Sequence, residues 1–342
     1  MNDIITSFPD SVKTRIDKDQ RVYLQSLRKK EHFLISLEIF YKNLSEYGIS
    51  EKEFEKVFGA SAFEKNLIDC GSWLEWNFYM KSEQTKLQKA NFCKKDKLCP
   101  ACAIRRAYKQ QVKFLQSLED DGDLIDNDWY YIVIPVKHTI DDDFETVFNR
   151  IIDIRSKILQ SMRDRKRGKK TGFWGQFNGG MTSIETTKTN NGWNVHMNLI
   201  INAPAGTKIK IKKVRNSRGQ ISYQNSDIVE FLTRVADSKM HNIQKLDFTN
   251  QDSIKKALVE VLKYSLKFSG LSDNDLIYIY LKTYKKRLFT TFGNMRGLDI
   301  ENVPLEGDVN YNEDFLRLLY RRVSNGYVMH SVTYWEGVRN EL

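Results

Sequence analysis

The chain has 342 residues, enough for one large domain or two ordinary ones. Hydrophobic residues make up 41% of the chain, but no stretch of about 18 apolar residues is present, so no membrane-spanning helix is predicted. The 54 Lys and Arg residues exceed the 44 Asp and Glu residues, and the formal net charge of +10 favours a polyanionic partner, most simply nucleic acid.

The predicted elements begin with a charged helical region over residues 1 to about 65, which carries no catalytic motif. Two strands, at about 181–187 and 193–201, flank an Asn-Gly dipeptide that ends at Gly192, and this pattern is typical of a hairpin. Together the elements predict an α+β fold with a central, largely antiparallel sheet and flanking helices. The other predicted elements are a strand at 129–136, helices at 143–165 and 227–237, and a helix and strand within 276–298.

The cysteines predict a metal site. Cys70 is followed at a distance by Cys93, Cys99 and Cys102, and the last two form a C-x-x-C motif. Four thiolates in this arrangement favour a structural Zn²⁺ site, with a redox dithiol at Cys99 and Cys102 as the alternative. Four cysteines in a chain without a signal-peptide pattern favour a reducing, cytoplasmic location.

The second strand of the hairpin predicts a polar site. Asn194, His196 and Asn198 alternate with apolar residues and therefore share one face of the strand. Glu185 on the first strand lies opposite or diagonal to His196 and Asn198. An imidazole, a carboxylate and an amide oxygen can bind Mn²⁺ or Mg²⁺, and the alternative is an ordinary polar sheet face.

A helix is predicted from about Ser253 to Phe268. On the face opposite its apolar stripe, Tyr264 lies with Glu260, Lys263 and Lys267. A phenol, a carboxylate and two ammonium groups together suit phosphate chemistry, with the tyrosine as the nucleophile. The alternative is a solvated helix face with a half-buried tyrosine.

The order of these motifs resembles that of rolling-circle plasmid replication initiators of the HUH endonuclease superfamily. The resemblance runs from about residue 66 to 298 and includes Cys70–Leu74, Cys93–Ala107, Tyr131–Val136, Ile184–Thr186, Gly192–Ile200 and Lys263–Lys267.

The resemblance implies a role for each matching residue. Tyr264 would nick one DNA strand and remain joined to the 5′ phosphate, and Glu260 would help water or a second strand to finish the reaction. The phosphate would be bound by Lys263 and Lys267, and the metal by His196 with Glu185. This chain departs from the superfamily motif at one position. The motif is a histidine, a hydrophobic residue and a second histidine, and this chain has Asn198 in place of the second histidine. Asn194 also stands where many relatives have a histidine.

The resemblance also implies partners and boundaries. The expected partners are double-stranded and single-stranded DNA of a replication origin, with a separate host helicase and polymerase, because no Walker A loop is present. Two alternatives stay open, a non-catalytic DNA-binding protein and a relaxase or transposase of the same superfamily. The predicted regions are a helical region at 1–65, a four-cysteine zinc module at 66–110, an HUH-like nickase domain at 111–300 and an extension at 301–342.

Overall fold

The fold is taken from a computed structural model that describes residues 10–120, 126–169, 172–215, 219–247, 271–297 and 313–336. Its contacts divide the chain into two compact units. Unit 1 comprises Met1–Lys109 and Glu301–Leu342, and unit 2 comprises Gln110–Ile300. The described residues 10–109 and 313–336 therefore belong to one unit, and the boundaries predicted from the sequence divide the same residues among three regions.

Unit 1 contains an antiparallel sheet with the strand order β11-β10-β1-β2 within the described residues. Strand β1 pairs with β2 on one side and, across more than two hundred residues of sequence, with β10 on the other. Trp76 and Leu318 lie in the buried core of this sheet, packed with Val12 and Ile16 of the first helix. The elements are α1 (Asp10–Lys42), α2 (Glu51–Phe58), α3 (Phe63–Asp69), β1 (Trp73–Tyr79), β2 (Gln84–Ala90), the first part of α4 (Pro100–Asp120), β10 (Phe315–Val323) and β11 (Gly326–Trp335).

Unit 2 contains an antiparallel sheet with the order β8-β3-β5-β4-β9 and a separate ribbon of β6 and β7, as far as the structure describes it. Strand β5 is central, between β3 and β4. The elements are β3 (Asp128–Pro135), α5 (Phe144–Lys166), β4 (Gly179–Thr189), β5 (Gly192–Ala203), β6 (Lys212–Arg215), β7 (Ile221–Gln224), α6 (Ser226–Ala236), β8 (Asn242–Leu246), α7 (Asp273–Lys282) and β9 (Phe289–Gly293).

Helix α5 covers one face of the unit 2 sheet. Its first turn is capped by Asp143, whose carboxylate accepts a hydrogen bond of 2.7 Å from the backbone N–H of Thr146. Phe144 packs edge-on against Trp193 of β5, with ring centroids 5.3 Å apart. The apolar residues Phe144, Val147, Ile151, Ile154 and Ile158, which share one side of the helix, are all buried.

The predicted α+β class with an antiparallel sheet is confirmed. The hairpin is also confirmed, because Thr189 pairs with Gly192 across a turn of two asparagines. Throughout the described ranges, every helix is too short or too polar to cross a membrane.

Candidate functional site

The hairpin of β4 and β5 brings Glu185, His196 and Asn198 together. Glu185 pairs directly with His196, and the next residue on the same face of β5 is Asn198. Because β5 is the central strand, this polar group lies in the interior of the sheet and not at its edge.

The carboxylate of Glu185 is almost completely buried. Its side chain is 5% exposed and that of His196 is 17% exposed, with His196 Nε2 lying 3.1 Å from Glu185 Oε2. Asn198 is also buried, and its Nδ2 donates a long hydrogen bond of 3.5 Å to the same oxygen of Glu185. A buried carboxylate is costly unless neighbouring groups compensate its charge, so the imidazole and the amide stabilise it here.

Tyr131 is a member of this cluster that sequence reasoning missed. Its hydroxyl donates a hydrogen bond of 2.9 Å to Oδ1 of Asn198. Tyr131 lies on β3, where it pairs with Ile200 of β5. The alternation of residues within β3 could have identified the face of Tyr131, but not that β3 is the neighbour of β5.

The type of the donor atoms suits a divalent cation such as Mn²⁺ or Mg²⁺. In the structure, however, the amide oxygen of Asn198 is turned toward Tyr131 and away from Glu185. Rotating this amide by 180° would direct its oxygen to Glu185 and its NH₂ to the tyrosine oxygen. In the conformation observed, Nε2 of His196 and the carboxylate of Glu185 face each other, and the Asn198 amide bridges Glu185 and Tyr131.

The four residues expected on the phosphate-binding helix, Glu260, Lys263, Tyr264 and Lys267, lie outside the described residues. The roles assigned to them therefore remain predictions from the sequence.

The four cysteines converge in unit 1, where they can hold a metal ion. Their sulfur atoms all lie within 4.8 Å of one another, and Cys70 Sγ is 3.6 Å from the sulfurs of both Cys99 and Cys102. The sulfurs of Cys93 and Cys102 are also 3.6 Å apart. A tetrahedral zinc ion with Zn–S bonds of about 2.3 Å separates its sulfurs by roughly 3.8 Å, so the observed spacing matches such a site closely. No other group of three or more His, Cys, Asp or Glu residues in the described part of the chain converges in this way.

Hydrogen bonds and positive charge surround the cysteine cluster. Lys30 is only 1% exposed, and its ammonium donates a hydrogen bond of 3.1 Å to the carbonyl oxygen of Cys70. The pKa of Cys99 is lowered chiefly by its hydrogen bond with Cys102, and the positive charge of Lys30 lowers it further. Arg322 donates to the same Cys70 carbonyl at 3.3 Å. The positive charge of Lys30 favours the thiolate form of Cys99, which is the form that binds metal.

Comparison of the chain with protein-family models, with curated proteins and with solved structures found no match.

Proposed function

We propose that this protein is a metal-dependent DNA-nicking endonuclease that starts rolling-circle replication of a plasmid. The single observation that carries the proposal is the cluster of Glu185, His196 and Asn198 on the central strands of an antiparallel sheet. The net charge of +10 and the motif order of the sequence support a DNA substrate.

In the proposed reaction, Tyr264 is the nucleophile. Its phenol gives its proton to water and its oxygen forms a bond with phosphorus, while the bond from phosphorus to the 3′ oxygen breaks and that oxygen takes up a proton from water. Lys263 and Lys267 hold the phosphate oxygens, and Glu260 assists the later hydrolysis or strand transfer. The phosphotyrosyl bond keeps the phosphodiester energy, so resealing needs no ATP, while unwinding and extension fall to a separate helicase and polymerase.

Glu185, His196 and, after rotation of its amide, Asn198 would hold Mn²⁺ or Mg²⁺. A cation bound there supplies positive charge to the scissile phosphate. Tyr131 would fix the orientation of the Asn198 amide through its hydroxyl. Zn²⁺ at the cysteines would be purely structural, because four protein ligands leave no open position. The proposal places the protein in the cytoplasm, where a reducing environment keeps thiolates available to bind metal.

The test uses a labelled single-stranded oligonucleotide from the plasmid's presumed origin with Mn²⁺, analysed by denaturing gel and mass spectrometry. We expect a covalent adduct on the peptide that carries Tyr264, which EDTA and Tyr264→Phe abolish. Glu185→Gln keeps the shape but not the charge, and it should slow adduct formation about 100-fold or more. Tyr284→Phe is the matched control and should react like the wild type.

A second candidate is a DNA-binding protein without catalytic activity. It is favoured by the hydrogen bond from Tyr131, which occupies the Asn198 oxygen, and by the presence of only one imidazole and one carboxylate in the cluster. Tight DNA binding with no cleavage and no adduct in Mn²⁺ or Mg²⁺ would establish this candidate instead. Cleavage of a transfer origin or a transposon end, and not of a replication origin, would indicate a relaxase or a transposase.

A further inference from the structure

The ribbon of β6 and β7 combines high positive charge with high exposure. Residues 208–224 contain six Lys and Arg residues and no Asp or Glu. The strands pair Lys213 with Tyr223 and Arg215 with Ile221. Directly opposed residues share a face, so these four side chains form one surface, which we call the ribbon face.

The ribbon face is open to solvent. Tyr223 is 39% exposed and Ile221 is 46% exposed, and Lys213 and Arg215 are exposed as well. On the opposite face, Ser222 and Gln224 are half-buried, whereas Lys212 and Val214 are exposed. Neither Lys213 nor Arg215 makes an ion pair with any residue in the described ranges. Two cations beside two exposed apolar side chains are therefore available to a partner.

The base of the ribbon is fixed by hydrogen bonds. The N–H of Tyr223 donates to Asn242 Oδ1 at 2.9 Å, and Asn225 Nδ2 donates to the carbonyl oxygen of Lys210 at 3.0 Å. A two-stranded ribbon is only marginally stable by itself, so these bonds help to hold its direction. The ribbon is thus oriented from its base while its charged face stays exposed.

We propose that the ribbon face binds double-stranded DNA in the major groove. Two strands lie about 4.8 Å apart and the groove is about 12 Å wide, so a two-stranded ribbon fits into it. Lys213 and Arg215 supply charge for phosphates or guanine edges, and Ile221 and Tyr223 supply apolar contacts for thymine methyl groups. A duplex is favoured over another protein because residues 208–224, which include the ribbon face, contain six Lys and Arg residues and no acidic residue, and this charge complements a dense row of phosphates.

This binding does not depend on the proposed nicking reaction, and the test separates the two. The full-length protein carries Tyr264→Phe, and its binding to a fluorescent 24-base-pair duplex of mixed sequence is measured by anisotropy over a range of salt concentrations. The double variant Lys213→Gln/Arg215→Gln should bind about 30-fold more weakly at 0.15 M salt, with a salt slope smaller by about 2. Its affinity for single-stranded dT24 should stay within about twofold of the wild-type value, because a single strand has no groove.

The matched control is Arg28→Gln/Lys29→Gln, which removes the same charge from an exposed part of α1. An equal loss of duplex affinity in this control, or unchanged affinity in the ribbon variant, would overturn the proposal.

Circular dichroism and the thermal midpoint check that each variant is folded. A further variant, Ile221→Ser, tests the ribbon face without changing its charge. Ile221→Ser should weaken duplex binding and leave the salt slope unchanged.

Methylation of the duplex with dimethyl sulfate tests which groove the protein occupies. The protein should protect guanine N7, which lies in the major groove, and the ribbon variant should lose that protection. Protection confined to minor-groove atoms would contradict the major-groove assignment.

Discussion

At the scale of single residues, the chemistry of the candidate site depends on one carboxylate oxygen that two neighbouring side chains contact. Glu185 Oε2 lies within hydrogen-bonding distance of both His196 and Asn198. The imidazole of His196 and the amide of Asn198 compensate the burial of this carboxylate, so removing either side chain would leave the carboxylate less well satisfied. A divalent cation would use the same three side chains, but with the oxygen of Asn198, and not its Nδ2, directed toward Glu185.

His241 is a buried histidine, and its hydrogen bonds define its protonation. Its Nε2 accepts a bond of 2.9 Å from the backbone N–H of Asn225, and its Nδ1 lies 3.3 Å from the carbonyl oxygen of Lys239. This pattern requires a neutral ring with its proton on Nδ1. Burial accordingly lowers the pKa of His241 below its ordinary value of 6.5.

The lowered pKa predicts a loss of stability in acid. As the pH falls below 6.5, the unfolded chain takes up a proton on this histidine before the folded chain does. The stability that His241 contributes is therefore complete above pH 6.5 and is lost as the pH falls through the lowered pKa of the folded state. Denaturant unfolding between pH 8 and pH 5 should show a smaller acid loss in His241→Gln than in the wild type. Parallel pH profiles for the two proteins would contradict this prediction.

At the scale of elements, close approach of backbones determines the geometry of β4 and β5. A side-chain carbon at Gly180 would overlap the carbonyl oxygen of Ile200 on the neighbouring strand. This contact lies on the same two strands as Glu185 and His196, so the spacing of the strands and that of the site depend on each other.

Gly180→Ala should therefore lower the free energy of unfolding by about 1–3 kcal/mol, because the two strands must separate to admit the methyl group. Gly172→Ala is the matched control, since nothing lies within 4 Å of the added carbon there. Chemical denaturation compares the two variants. A control that is as destabilised as Gly180→Ala would show that the effect does not come from the contact between strands.

At the scale of the whole molecule, the four cysteines connect segments that are far apart in the sequence. Cys70 follows α3, Cys93 follows β2, and Cys99 and Cys102 lie at the start of α4. Arg322 of β10 also bonds to the carbonyl oxygens of Cys70 and Ile68. A metal ion at the cysteines would therefore link helices and strands across unit 1.

We expect one zinc ion per chain by mass spectrometry of the metal content, and none in Cys102→Ser. Structural zinc supplies about 10–16 kcal/mol in zinc-finger peptides, so the loss should lower the thermal midpoint by about 10 °C or more. Zn²⁺ added back to the chelator-treated wild type should restore the midpoint, whereas Mg²⁺ should not. Four thiols that react freely with a thiol reagent in the native protein would contradict a metal site.

Structural features that depend on residues close together in the sequence were predictable. The helix at 144–166 and the hairpin that places Glu185 opposite or diagonal to His196 follow from local periodicity and from a turn signal. Local patterns also separated the buried face of β5 from the polar one, because alternation alone determines which side chains share a face.

What the amino-acid sequence determined by itself was local: the helix and hairpin positions, the α+β class, the excess of positive charge and the set of four cysteines. Only the tertiary structure decided that β3 lies beside β5, which brings Tyr131 to Asn198, and that β10 pairs with β1 in one sheet. The physical reason is that turn and periodicity signals act over a few residues. Pairing between distant strands is selected by the packing free energy of the whole unit, which no single segment of sequence specifies.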